Sequence, residues 1–268
     1  MPTWKLTIEY EGTRYYGWQE QRTARTVGGE LRKAAEDALE GRVDLGGAGR
    51  TDAGVHALAQ VARLGAAKRI QPRALLHALN DRLPADINVL KVDAAPREFD
   101  PRRSPTARYY LYQISTRRTA FAKKLVWWVK DPLDVERMRT ASQSLLGRHD
   151  FAAFCDKRVE DASTTVNVQN VEITAEGDLV LFRIGASHFL WKMVRRLVGT
   201  LVEVGRGHLD IENVARLLSA GKGPAQPVKF EIAEHTAPPS GLFLEHVSYG
   251  VNDRPGPLSA AFGVRRNG

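Results

Sequence analysis

The sequence predicts an α+β protein of two similar halves, each with a mostly antiparallel sheet flanked by helices. Three observations carry that expectation. Segments with apolar residues at every second position alternate with segments spaced three to four apart, the signatures of half-buried strands and of helices. A similar order of elements recurs on both sides of a polar, proline-bearing stretch, Asp93–Ser104 (DAAPREFDPRRS), which reads as a boundary. Finally, 268 residues with 43% hydrophobic and 26% charged content can bury a sizeable core and lie in the range of ordinary globular proteins. The expected division is residues 1–103, residues 104–250, and a tail over 251–268. The tail carries two prolines and two terminal arginines with little periodicity, so it is expected to be loosely held.

Taken in order, Leu6, Ile8 and Tyr10 alternate and predict the first strand. Leu31, Ala34, Ala35, Ala38 and Leu39 share a helical face over Gly28–Glu40. Ala59–Leu64 reads as a second strand. Pro72 opens a helix carrying Leu75, Leu76, Leu79 and Leu83 on one side, Pro84 ends it, and Ile87–Val92 supplies a third strand. In the second half, Arg108–Ile114 and Leu125–Val129 read as strands and Val135–Leu146 as a helix. A hairpin spans Val166–Ile184 with its turn at Glu176-Gly177-Asp178. A longer helix runs from about Phe189 to Val204 and is stopped by Gly205. A short helix over Ile211–Ser219 and a strand over Phe243–Ser248 complete the set.

Composition excludes several functions. No apolar run approaches the roughly 20 residues that span a bilayer, so no membrane association is expected. The opening MPTWKLTIEY lacks the basic-then-apolar order of a signal peptide, and a cytoplasmic location is expected. A single cysteine, Cys155, excludes an intrachain disulfide framework and any multi-thiolate metal site. Lys and Arg outnumber Asp and Glu by 39 to 31, a formal charge of +8, which favours a polyanionic partner such as nucleic acid.

The densest chemical signal is GGAGRTDAGVHA, Gly46–Ala57. It is not a dinucleotide fingerprint, because the third glycine is missing and the residues that follow are polar. Nor is it a P-loop, because no Gly-Lys-Ser/Thr follows. On spacing alone, a glycine turn with a capping Asp52 would suffice. Against that stands Arg50, which in extended backbone faces the same way as Asp52 and would favour the ionised carboxylate that a nucleophile needs.

GAGRTDAGVHA is similar to the signature of the TruA-type tRNA pseudouridine synthases. Five other segments resemble that family in the same order: YEGTRYYGWQEQ (Tyr10–Gln21), LPADINV (Leu83–Val89), TARYYLY (Thr106–Tyr112), LLGRHDFAAF (Leu145–Phe154) and KMVRRLVGTLVEVG (Lys192–Gly205). The similarity covers roughly residues 4–249.

This resemblance implies an isomerase that converts uridine to pseudouridine at positions 38, 39 and/or 40 of the tRNA anticodon arm. It also implies an active cleft between the two halves, a homodimer, and neither cofactor nor metal. Asp52 matches the family's essential aspartate, which could attack the sugar, add to the ring or abstract a proton. Arg50 would orient that carboxylate or move into space left by the flipped base. Arg195 matches the arginine expected to pair with the aspartate. Tyr110 matches the tyrosine that stacks on the target base, and Arg108 of the same segment is assigned with it to substrate binding.

Read without the resemblance, Tyr110 fits a core strand equally well. Lys192 and Arg196 fit a solvated basic face, and His56 fits a structural role. Arg22, Arg25, Arg102, Arg103, Arg117, Arg118, Lys123 and Lys124 are candidate phosphate contacts. At Ala162-Ser163-Thr164-Thr165 the chain lacks an arginine usual in the family, which puts one RNA contact in doubt. Two other classes compete. A noncatalytic RNA-binding module would use Tyr110 as a stacking platform, but it has no use for the Arg50-Thr51-Asp52 frame. A glycosidic-bond hydrolase would need a second carboxylate, and none lies beside Asp52 within the motif.

Overall fold

The computed structural model describes residues 1–156, 163–218 and 228–264. Ala162, Ser219, Arg265 and Arg266, named above, lie outside the described residues. The chain forms two units: Met1–Thr106 with Phe243–Arg254, and Ala107–Leu242 with the described residues from Pro255 on. The expected division placed residues 104–250 together. In the structure, the segment from Phe243 returns to the first unit.

In the first unit, β1 (Thr3–Tyr10) lies between β4 (Ile87–Ala94) and β3 (His56–Ala66), antiparallel to both. Its alternation buries Trp4, Leu6, Ile8 and Tyr10, the face that the sequence pattern picks out. The other edge of β3 is shared. β2 (Val43–Gly47) pairs antiparallel with it from Val43↔Ala66 to Gly47↔Ala62. β10 (Leu242–Ser248) pairs parallel with its start, at Phe243↔His56 and Leu244↔Ala57.

α1 (Val27–Leu39) begins where the Thr26 hydroxyl accepts from Gly29 N–H at 3.2 Å, a side-chain cap of an otherwise orphan donor. It buries Val27, Leu31, Ala34, Ala35, Ala38 and Leu39, and ends at Glu40 in a left-handed conformation. α2 (Pro72–Asn80), started by proline at its first position, packs against β4.

In the second unit, β5 (Ala107–Ser115) is buried along its whole length. It pairs antiparallel with β9 (Leu179–Ala186) and parallel with the short β6 (Trp127–Trp128). β8 (Thr165–Glu176) joins β9 through the expected turn, in which Gly177 takes φ +59°. β7 (Gly147–Asp150) closes the edge beside β8. α3 (Val135–Ser142), α4 (Met193–Gly205) and α5 (Ile211–Leu218) pack on one another. α4 is buried on nearly every side.

The segment read from sequence as a loose tail is held as far as Val264. The buried Arg183 donates to Gly256 O at 2.9 Å, and the buried Gln113 side chain accepts from Ala261 N–H at 2.7 Å. Both anchors are polar groups placed on strands by long-range pairing, which composition of the tail cannot reveal. None of the described helices is long and apolar enough to cross a membrane.

Candidate functional site

Asp52 sits in the loop 48–55, where the chain leaves β2 and re-enters β3. This loop has no regular secondary structure, and a second loop fixes it. Trp18 N–H donates to Thr51 O at 3.1 Å, and Gly54 N–H donates to Tyr15 O at 3.2 Å. Gly12 N–H donates to the His56 ring at 2.9 Å. The turn itself closes through the backbone, with Val55 N–H donating to the Asp52 carbonyl at 3.1 Å. Thr51 is buried, and its hydroxyl is 2.8 Å from that of Tyr10. Asp52 itself is part-exposed. The backbone on both sides of the carboxylate is therefore tied down by obligatory donors and acceptors.

The glycines of this region have unequal duties. A Cβ on Gly47 would run into the Trp18 indole, so Gly47 is what lets that ring lie against β2. Gly17 has φ +87°, and a Cβ there would collide with Thr51 O, so both backbone handedness and contact require glycine. Gly46 and Gly49 have open space around a built Cβ. The bare frame is thus a device for bringing segment 12–18 onto the Asp52 loop. It is not uniform flexibility.

His56 is buried and stacks on Phe243 with ring centroids 4.8 Å apart. Because its Nδ1 accepts from Gly12 N–H, that nitrogen carries no proton. Its 3.6 Å approach to Glu11 is therefore not an ion pair. Tyr10 is pushed up to about 12 by burial, against the pull of its Thr51 and Gln60 hydrogen bonds. Burial and the neighbouring Asp86 carboxylate, to which the Tyr15 hydroxyl donates, raise Tyr15 well above its usual value. Both phenols stay neutral and act as structural hydrogen bonders around the loop. Arg50 is exposed and makes no ion pair among the described residues.

The remaining expected residues belong to the second unit. Tyr110 is buried on β5, opposite Ile184, and meets Phe189 edge to face at 5.0 Å. Arg108, on the same face two residues earlier, is 9% exposed and donates to Ser187 O at 2.9 Å. Burial and the Arg108 charge depress His188 below its usual value. Arg195 lies in the first turn of α4, where its Nε donates to Ala237 O at 2.7 Å. Tyr112, on β5, is pushed well above its usual value by burial, with the Arg195 charge acting in the opposite sense. Its hydroxyl donates to Pro238 O at 2.7 Å.

Three residues gave little signal in the sequence. Arg196, read as part of a solvated face, is 7% exposed. It donates to Cys155 O and to Asp156, each at 2.6 Å, so its charge is neutralised in the interior. Trp18 and Tyr112 owe their roles to partners far along the chain. Among the candidate phosphate contacts, Arg25 pairs with Glu30 at 2.6 Å and Arg117 with Asp178 at 2.8 Å. Arg22, Arg102, Arg103, Arg118, Lys123 and Lys124 are exposed.

Comparison with known proteins places these features in one family. Residues 6–102 and 141–250 match the family described as tRNA pseudouridine synthase. A tRNA pseudouridine synthase A of Myxococcus xanthus is 42% identical over 261 residues, covering 96% of this chain and 94% of its own. One from Rhodopseudomonas palustris (strain BisA53) is 39% identical over 253 residues, covering 93% of this chain and 100% of its own. A solved archaeal box H/ACA Nop10–Cbf5 complex is similar at 12% identity over 80% of this chain and 43% of that one. Its TM-score of 0.32 is too low to bear on the argument. The length and coverage of the sequence matches leave no ambiguity of class: the chain belongs to the tRNA pseudouridine synthase family of isomerases.

Proposed function

We propose that this chain converts uridine to pseudouridine at positions 38, 39 and/or 40 in the anticodon arm of tRNA, with Asp52 as the essential carboxylate. The observation that carries this reading is the Asp52 loop. Its backbone is held on both sides by the 12–18 segment, and Val55 N–H closes the turn on the Asp52 carbonyl. The reaction breaks the bond between C1′ and N1 of uracil and turns the base. It then joins C1′ to C5, with a proton lost from C5 and one gained at N1. Nothing is oxidised or reduced, and no atom is added.

The target base must leave its stack, at a cost of a few kcal/mol that pocket contacts offset. Tyr110 is assigned to stack on it, and Arg108 to the substrate beside it. Arg195 is assigned as the cation that balances the carboxylate. The exposed Arg50 suits movement into the space left by the base better than a fixed clamp. A homodimer acting in the cytoplasm completes the proposal, and light scattering at working concentrations tests the dimer.

Asp52→Asn decides the matter. The amide is nearly isosteric, so the loop's backbone bonds remain, but it cannot serve as nucleophile or base at neutral pH. Pseudouridine formation should disappear while melting temperature and tRNA affinity stay near native values. A well-folded Asp52→Asn protein that still turns over ends the proposal. A variant that melts far earlier, with activity lost only in proportion, means the residue serves the turn.

A further inference from the structure

Arg195, Gly199 and Glu203 are spaced four apart on α4, and one segment, His235–Pro238, lies along all three. At the first, Arg195 and Ala237 exchange two bonds: Arg195 Nε donates to Ala237 O at 2.7 Å, and Ala237 N–H donates to Arg195 O at 3.1 Å. At the second, a Cβ on Gly199 would overlap His235 O, so the absent side chain is what lets the segment touch the helix. At the third, the His235 ring approaches Glu203 at 3.5 Å and stacks on Phe230 with centroids 4.5 Å apart.

Glu203 is 4% exposed and therefore a well-fixed anchor. Burial opposes its charge, but His208 at 2.9 Å and Arg206 at 2.6 Å more than offset this and hold it below the usual carboxylate range. The far end of the segment is bound as well, because Pro238 O accepts from Tyr112.

We propose that this segment is the positioning element for the Arg195 guanidinium, with Glu203 and His235 as positioning residues for the reaction. The bond at Nε fixes the plane of the guanidinium, and so the direction in which its terminal nitrogens point. Its carbonyl partner is held in turn by contacts about one and two turns further along the helix, at Gly199 and Glu203. A side chain with many rotamers is thereby given one orientation before substrate binds, the condition under which a charge stabilises a transition state without reorganising. The inference rests on the assignment of Arg195 to the chemistry.

The test uses the full chain and an unmodified tRNA transcript, with single-turnover rate, tRNA affinity and melting temperature measured together. His235→Ala and Glu203→Gln are each made in the native protein and in an Arg195→Lys protein, which keeps the charge but loses Nε. In the native background the rate should fall about tenfold, with tRNA affinity changed by less than about twofold; in the Arg195→Lys background the further fall should be below about twofold, because residues acting through one group are not additive. An equal fall in both backgrounds, or no fall in the native one, overturns the proposal. Should Glu203→Gln not fold, His235→Ala decides alone, its ring being one-third exposed. An Arg195→Lys protein as fast as the native one overturns the assignment of Arg195 itself, a result distinct from an additive fall.

Discussion

The Asp52 loop and the Arg195 helix hold a charged group in place by opposite means. The loop 48–55 has no regular structure, and its rigidity comes from backbone groups of segment 12–18 meeting it at Thr51 and Gly54, with glycines where the two chains come closest. Arg195 stands on a helix buried along most of its length, and side chains reach out from that helix to hold a neighbouring segment. One device fails when atoms are added. The other fails when polar atoms are removed. The difference matters for mutation: the loop cannot take added atoms at Gly17 or Gly47, whereas the helix anchor weakens when the polar atoms of Glu203 or His235 are removed.

The largest expected effect falls on the loop. Gly17→Ala forces a left-handed residue and a collision with Thr51 O at once. Strain and overpacking together should cost about 3 kcal/mol or more, with turnover lost because the Asp52 backbone moves. Thermal melting with a turnover assay checks this. A variant of native stability would mean that segment 12–18 does not hold the loop.

Next comes the pH dependence of the two anchors. Glu203 is held below its ordinary value of 4.5, so its contribution is present above that pH and lost as pH falls through the folded value. Glu203→Gln should cost about 1.5–3 kcal/mol at neutral pH and flatten the acid limb of a melting-temperature profile. Tyr10 is shifted the other way, from 10 to about 12. The folded chain then keeps a proton that the unfolded chain releases, and stability falls as pH rises from 10 towards 12. Tyr10→Phe should cost about 1 kcal/mol at neutral pH and soften the alkaline limb. Unchanged limbs in both variants would erase the contrast between the anchors.

The smallest effect sharpens the contrast by its absence. Gly49 lies three residues from Asp52, yet nothing stands near a Cβ built on it, and its φ is not positive. Gly49→Ala should change stability by less than about 0.5 kcal/mol, or raise it slightly by restricting the unfolded chain. A large loss in a melting experiment would show that the loop needs freedom as well as proximity.

Much of this architecture was legible from local pattern, and the exceptions share a cause. The burial of alternate residues in β1, the face of α1 and the Gly177 turn of the β8–β9 hairpin all follow from periodicity and turn chemistry, which act over a few residues. β2 escaped because Gly46 and Gly47 leave only Val43 and Leu45 to show alternation. β7 escaped because Gly-Arg-His-Asp has no apolar face, and only its ladder with β8 makes it a strand. α4 was expected from Phe189 but begins at Met193, since Lys192 takes φ +60°. The apolar spacing of Leu190 continues through that break and conceals it. At the site, Asp52 and Arg195 were visible as motif residues. The burial of Arg196, the seat of Trp18 on Gly47 and the bond from Tyr112 to Pro238 are created by segments tens to more than a hundred residues away, and no window of sequence contains both partners.

The return of β10 to the first unit has a consequence for how the protein is made. His56, whose ring anchors the Asp52 loop at Gly12, is covered by Phe243, and the start of β3 pairs with that same late strand. The unit that carries the loop is therefore completed only after all of residues 107–242 have been synthesised. Until then the edge of β3 at His56 and Ala57 has no β10 to pair with, and an unpaired strand edge invites association with other chains. A nascent chain stopped before Phe243 holds the whole Gly46–Ala57 motif without the strand that closes it. The aspartate loop thus acquires its finished setting only after Phe243 and its strand have been made.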